Sequence, residues 1–289
     1  FEIYGLRVTI KNMTIINANY MMQGGAICFT EEGTVTNCNF INNYANIGGG
    51  VNFFESFEDV VFNGAFVANS AVQGGAIFIN SPVSNSIIDS TFINNSASRG
   101  GAIFFNNETD NVIIDGYFEG NEAERIGGAI VFQAKSSNNI ISADFYDNKA
   151  INASGGAIFF RNIAENNQFE GSFTENSAVN GGAIFFYNES NNNRFDCDFR
   201  LNVANSSGGA IVFFGSTDGN NFTGCFINNS ALGGSSGDSV GNGGAITFTG
   251  VSGNCLFDCD FIDNLAVQHG GAVNYRQTPY NIVFNGDFV

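Results

Sequence analysis

Two stretches of the chain carry paired carboxylates two residues apart, FDCDF at residues 195–199 and again at 257–261. Asp196 with Asp198, and Asp258 with Asp260, are the residue types that supply a general acid and a general base, or oxygen ligands to a hard cation such as calcium. Asp89, Asp115, Asp144 and Asp287 extend the same acidic pattern. Repetition argues against catalysis. Pairs at i, i+2 on one strand, copied in separate units, describe a solvated face. An opportunistic calcium ion suits that face better than acid–base chemistry, and no Asp-x-Asp-x-Asp-Gly loop marks a dedicated site. The one histidine, His269 in QHGG, stands where other units carry Gln23, Gln73, Arg99, Ile126 or Asn180. It reads as a corner residue, and no Ser-His-Asp set is built around it. Cys28, Cys38, Cys197, Cys225, Cys255 and Cys259 form no Cys-x-x-Cys pattern. Cys255 and Cys259, four apart in an extended segment, are about 13 Å apart, too far for a direct disulfide. All six are expected to be reduced, small, buried residues. The reading is therefore of a protein that is not an enzyme, with no catalytic residue, cofactor or metal ligand assigned.

These residues ride on a repeat. Gly-Gly pairs begin at Gly24, Gly49, Gly74, Gly100, Gly127, Gly155, Gly181, Gly208, Gly243 and Gly270. F-x-x-N-x-A motifs interleave with them, from Phe40 with Asn43 to Phe261 with Asn264. Before each motif Phe the chain alternates large, small, large, as in Ile114-Asp115-Gly116-Tyr117-Phe118. That is a strand with one face inward. A second strand follows each glycine pair, with an Ile and an aromatic two residues on sharing a face. A unit of about 26 residues, made of short strands without helical periodicity, lacks the Leu ladder of a leucine-rich repeat and is too short for a propeller blade. The expectation is an all-β, right-handed parallel β-helix of about ten coils, one domain over residues 1–289. Stacked at about 4.8 Å, it makes a rod on the order of 50 Å long. The motif asparagines, and a second column at Asn85, Asn111, Asn138, Asn166, Asn192, Asn254 and Asn281, are expected to be turn architecture rather than ligand groups. The long step from Gly208 to Gly243 is expected to be a surface loop over residues 232–242.

Alternation also implies an outward column. With Ile103 and Phe105 inward, Phe104 points out. The same reading puts Phe53, Phe78, Phe159 and Phe185 outside, together with Val131 and Val212, and Phe54 inside. An exposed apolar stripe of that size marks a contact surface, so Phe53, Phe78, Phe104, Phe159 and Phe185 are the candidate interaction residues. Acidic residues outnumber basic ones by 27 to 10, for a net charge of −17. That excludes nucleic acid and anionic lipid as partners. No apolar run is long enough for a membrane helix, so direct insertion is not expected. Asn-x-Ser/Thr sequons at Asn12, Asn94, Asn107, Asn152, Asn188, Asn205, Asn221 and Asn228 make the chain a candidate glycoprotein.

GGAI and FxxN in combination resemble the polymorphic membrane proteins of chlamydiae. The texture of GTVTNCNFINNYA at residues 33–45 and GCFINNSA at 224–231 is also similar to the adhesin-like surface proteins of methanogenic archaea. The resemblance implies a cell-surface or extracellular β-helical adhesin or stalk, part of a longer surface protein. Its partner would be a surface protein, a glycan receptor or a second copy of the rod. It carries over no catalytic residues. The rival reading is a polysaccharide lyase or glycosidase on the same scaffold, which an Asp pair beside Arg or Lys in a cleft would favour.

Overall fold

The computed structural model describes residues 1–5, 7–55, 57–234 and 241–289. It is a parallel β-solenoid, and no helix occurs among the described residues. One coil shows the plan. The corner Gly100-Gly101 leads into strand β1 (Ile103–Phe105), a turn and a short strand β2 (Thr109–Asp110). Asn111 then reverses the chain into strand β3 (Ile113–Glu119), and Gly120 turns it into strand β4 (Glu122–Ile126). The next corner, Gly127, begins the coil again. Equivalents of β1 stack into an eleven-stranded sheet, and equivalents of β3 into the largest one. Pairing is parallel and unshifted along most of the rod: Ile77 opposite Ile103 opposite Ile130, and Phe92 opposite Phe118 opposite Phe145.

The core follows from this register. Inward residues of β1, β3 and their equivalents form one continuous buried cluster. Phe40, Phe66, Phe92, Phe118, Phe145 and Phe173 stack in file with centroids 4.6–5.0 Å apart. A second file runs from Phe105 through Phe132, Phe160, Phe186, Phe213 and Phe248 to Tyr275. Offset or near-parallel rings at this spacing gain roughly 0.5–1.5 kcal/mol beyond area burial.

Two registers depart from the sequence reading. In the second coil the left-handed corner is Gly48 (φ 62°), not Gly49. Gly50 therefore takes the alanine position, and Val51 and Phe53 point inward, opposite Ile77 and Ile79. In the coil before it, Val35 rather than Thr36 lies opposite Phe62, because a β-bulge at Asn37 (φ 51°) adds a residue to the strand. Of the expected loop at 232–242, residues 235–240 lie outside the described residues. Beyond it Ile246 returns to its place opposite Ile211.

The second corner glycine sets the coil spacing. A Cβ on Gly128 would stand only 1.9 Å from the carbonyl oxygen of Gly156 and 2.5 Å from the amide of Lys149. Both are backbone atoms of the layer stacked directly on this corner, so the layers must part to admit it. Gly128→Ala is expected to cost about 1–3 kcal/mol as an overpacking change. Gly120 also has positive φ (60°), but a Cβ there meets only the end of the Asn94 side chain, and Asn94 is its equivalent one coil earlier. Gly120→Asn is expected to stay within about 0.5 kcal/mol of the parent. Urea midpoints compare the two; equal losses would show that crowding at the corner is not what excludes side chains.

Candidate functional site

The acidic face is built on the β3 sheet. Asp89, Asp115, Asp196 and Asp258 share one outward column, with Ser142, Glu170 and Thr223 between them. Asp144 and Asp198 share the next, separated by Ser172. Donors are interleaved with the carboxylates. Ser172 Oγ donates to Asp144 at 2.6 Å, Thr223 Oγ1 to Asp196 at 2.9 Å, and the Asp287 amide to Asp260 at 2.9 Å. Arg194 pairs with Asp196 at 3.0 Å and Arg200 with Asp198 at 2.8 Å.

The β3 ladder opens near its C-terminal end. The eighth-coil strand divides into Asn221–Phe222 and Phe226–Ile227. The gap makes a shallow notch of about 460 Å³, with Asp198, Cys225, Asp258 and Asp260 on its walls. Burial pushes the Asp198 carboxyl up. The Cys225 thiol and amide and the Arg200 guanidinium, all donating to it, outweigh that and hold it below its ordinary value. Asp198 is thus fixed as an anion, whereas a general acid at neutral pH needs a raised carboxyl. Burial and the bond to Asp198 push the Cys225 thiol up to about 11, and burial pushes Cys259 up to about 12. Neither is a ready thiolate nucleophile. All six cysteines are free; five are buried and Cys225 is half-buried. His269 is exposed and pairs with Asn242 in the corner column, on another face of the rod. Among the described residues, no three His, Cys, Asp or Glu side chains converge to hold a metal ion.

The outward column of the β1 sheet is not the exposed stripe its alternation suggests. Phe53 belongs to the main core, and Asn52 takes its outward place. Phe78, Phe104, Phe159 and Phe185 do point away from the core, yet each is at most 5% exposed. With Val131 and Val212 they form a second buried cluster, packed against Ile47 and Ile126. The left-handed corner is the cause. It brings the chain back beside the strand, so that a Cβ on Gly127 would meet Val131 Cγ2 at 2.5 Å. On the other flank Tyr187 contacts Phe159 and Phe214 contacts Phe185, with centroids 6.5 and 6.2 Å apart. The result is a lateral groove along the rod, filled by its own side chains in the middle. Cavities of about 590 Å³, beside Cys28 and Phe54, and about 220 Å³, beside Phe185 and Val212, lie toward its two ends.

Asparagines at the corners are structural. Asn69, Asn95, Asn121, Asn148, Asn176 and Asn202 are fully buried. In each, the side-chain amide donates to the next coil's Asn Oδ1 and to a motif Phe carbonyl of the preceding coil, as Asn95 does to Asn121 and Phe66. The left-handed residue is the one before, such as Asn94 (φ 53°). The second expected column, Asn85, Asn111 and their equivalents, is left-handed itself. A third column went unread: Asn139, Asn167, Asn193 and Asn220 form a short buried ladder with the same Asn-to-Asn bonds, its backbone acceptors being the carbonyls of β2-type strands such as Ser136 and Ala164. Its signal was the doubled asparagine in Asn138-Asn139, Asn166-Asn167 and Asn192-Asn193.

Fold and surface together define a parallel β-solenoid whose repeated Phe, Asn and Gly positions are architectural. The Chlamydia polymorphic membrane protein repeat matches two segments, residues 89–106 and 170–187. Each segment runs from the third residue of a β3-type strand through the buried Asn and the glycine corner to the residue after the next β1-type strand. The chain is thus similar to that repeat where the coil is most constrained. No curated protein and no solved structure matches it.

Proposed function

We propose that this chain is the rod of a cell-surface adhesin, and that it holds its outer columns at fixed spacing toward a surface receptor or glycan. The observation that carries the reading is the polymorphic membrane protein repeat matching at two coils of a parallel β-solenoid. A stack of some ten coils, ordered by Asn and Phe ladders, supplies reach and stiffness. A net charge of −17 keeps rods apart until a partner screens them. One observation favours the second reading, a polysaccharide-cleaving enzyme: the notch sets Asp198, Asp258 and Asp260 near Arg200. Against it, Arg200 is already paired with Asp198, and that carboxyl is held down rather than raised.

The test coats beads with residues 1–289, measures their retention on cultured cells and on immobilised glycans, and screens the same protein for polysaccharide cleavage. Retention without cleavage is the expected result. Cleavage that disappears in Asp198→Asn and Asp260→Asn would replace the adhesive reading with the enzymatic one. Failure to be retained on any of these surfaces would overturn adhesion.

A further inference from the structure

In the C-terminal half of the rod, the residues that follow the β1-type strands form a column on the flank of the lateral groove: Arg161, Tyr187, Phe214, Thr249 and Arg276, one per coil. Their amides bond in series to the strand ends of the preceding coils, Tyr187 to Phe160, Phe214 to Phe186, Thr249 to Phe213 and Arg276 to Phe248. Tyr187 and Phe214 stack at 5.4 Å with their planes 11° apart, yet are 49% and 47% exposed. The Arg161 guanidinium lies 5.9 Å above the Tyr187 ring. Beside Phe214 opens the cavity of about 220 Å³, floored by Phe185 and Val212 and edged by Asn180, Ser206, Thr249 and Arg276.

We propose that this end of the groove binds an acidic saccharide, a sugar ring bearing a carboxylate. The inference deepens the adhesive reading above and names its ligand class. Tyr187 backs one face of the Phe214 ring, and the other side of Phe214 borders the cavity, where a pyranose can lay its complementary face of C–H bonds. The cavity beside it holds about one ring, and its hydroxyl and amide edge matches a sugar's hydroxyl rim. Small-ligand sites have this make-up, an apolar wall with a few placed polar groups. Charge selects the acid. Basic residues number only ten, and four of them (Arg7, Lys135, Arg194 and Arg200) are paired with carboxylates. Arg161 and Arg276 make no ion pair with any described residue, and they bracket the aromatic pair. Guanidinium recognises carboxylate by two parallel hydrogen bonds. The rod's net charge opposes anions at long range, so it is the two local guanidiniums, placed for short-range hydrogen bonds, that make a single carboxylate the fitting occupant. Coils repeat at about 4.8 Å, so a linear saccharide laid along the column would meet a new side chain at each step.

Calorimetric titration of residues 1–289 with an oligogalacturonide, with sialyllactose and with a neutral cello-oligosaccharide tests this. At least one acidic sugar is expected to bind, roughly tenfold or more tighter than the neutral one, and more weakly as salt rises. Phe214→Ala and Arg276→Gln are each expected to weaken it by roughly tenfold. Thermal melts check that both variants are folded, and Arg276→Gln, at an exposed position, serves if Phe214→Ala is destabilised. Equal binding of the neutral sugar, or full affinity in Arg276→Gln, would overturn the proposal. A rod that is retained on cells but binds neither acidic sugar would also overturn it while leaving adhesion standing. A rod retained on nothing would remove both.

Discussion

Replacing Asn148 by leucine is expected to lower the unfolding free energy by about 3–6 kcal/mol, since buried polar groups left unpaired cost about 1–3 kcal/mol each. The side chain is fully buried. Its Oδ1 accepts from the Asn121 backbone amide at 3.1 Å and from Asn121 Nδ2 at 2.9 Å. Its Nδ2 donates to the Phe118 carbonyl at 2.9 Å and to Asn176 Oδ1 at 3.0 Å. Leucine has similar bulk and none of these groups, so two donors and a carbonyl lose their partners together. Asn148→Asp separates bonding from bulk. A carboxylate keeps the accepting side but meets the Phe118 carbonyl and Asn176 Oδ1 with an acceptor. Burial raises the folded-state pKa of the introduced carboxyl above its unfolded value. The penalty is therefore greatest at neutral pH, where the group must be ionised. It shrinks as pH falls through the raised folded pKa, where a proton restores one donor. Urea melts at pH 7 and pH 5 should show the Asn148→Asp deficit narrowing toward acid while that of Asn148→Leu does not. A wild-type midpoint for Asn148→Leu would mean that the ladder only accompanies the fold.

The fold was legible because its core chemistry repeats. Large residues on every second position, broken by Gly pairs and FxxN at a period near 26, leave few architectures that bury each face. Register was less legible where the signal was degenerate. The triplet Gly48-Gly49-Gly50, followed by Phe53-Phe54, offers two alignments, and glycine pairs alone do not choose between them. A second spacing does. Nine residues separate Phe105 from Ile114 and Phe132 from Ile141, and nine also separate Phe53 from Phe62, whereas Phe54 falls one short. The inward residue of coil two was therefore written in the sequence, in a distance rather than a motif. The bulge at Asn37 has no such marker, since an extra residue in one strand looks like a longer turn.

The candidate surface was misjudged for a physical reason. Strand alternation says which way Phe104 points relative to the core, not whether water reaches it. In an isolated strand, outward and exposed coincide. Here the left-handed corner returns beside the strand, and neighbouring columns close over it, so outward residues build a second, smaller core. What stays exposed is the flank, Tyr187 and Phe214. Those two stand in a column that also holds Tyr4, Thr30, Phe54, Asn80, Asn106, Gln133, Arg161, Thr249 and Arg276, and composition alone gives no reason to single them out. The acidic columns, by contrast, were legible outright, because i, i+2 carboxylates on a half-buried strand have only one direction to take.

Phe145→Ala is expected to cost about 3–5 kcal/mol, the range for an aromatic removed from a close-packed interior. Phe145 is wholly buried and stacks on Phe118 and on Phe173, each at 4.7 Å. The coils on either side hold the cavity open, because their own rings are fixed by the backbone register and cannot close over a gap of a full side chain. Phe118→Ala should cost as much on its own. The pair tests stacking directly. With Phe118 gone, Phe145 has already lost one of its two partners, so the double variant should fall short of the sum by roughly 0.5–1.5 kcal/mol. Phe118 with Phe226, which share no contact and stand four coils apart in the file, should add within about 0.5 kcal/mol. In a solenoid each coil touches only its neighbours, so coupling should vanish with separation along the file rather than decline gradually. Denaturant midpoints for the three single and two double variants decide the matter. Wild-type midpoints in Phe118→Ala and Phe145→Ala would show that the file of rings is not the core. Equal coupling in the near and distant pairs would show that the coils unfold as one unit rather than neighbour by neighbour.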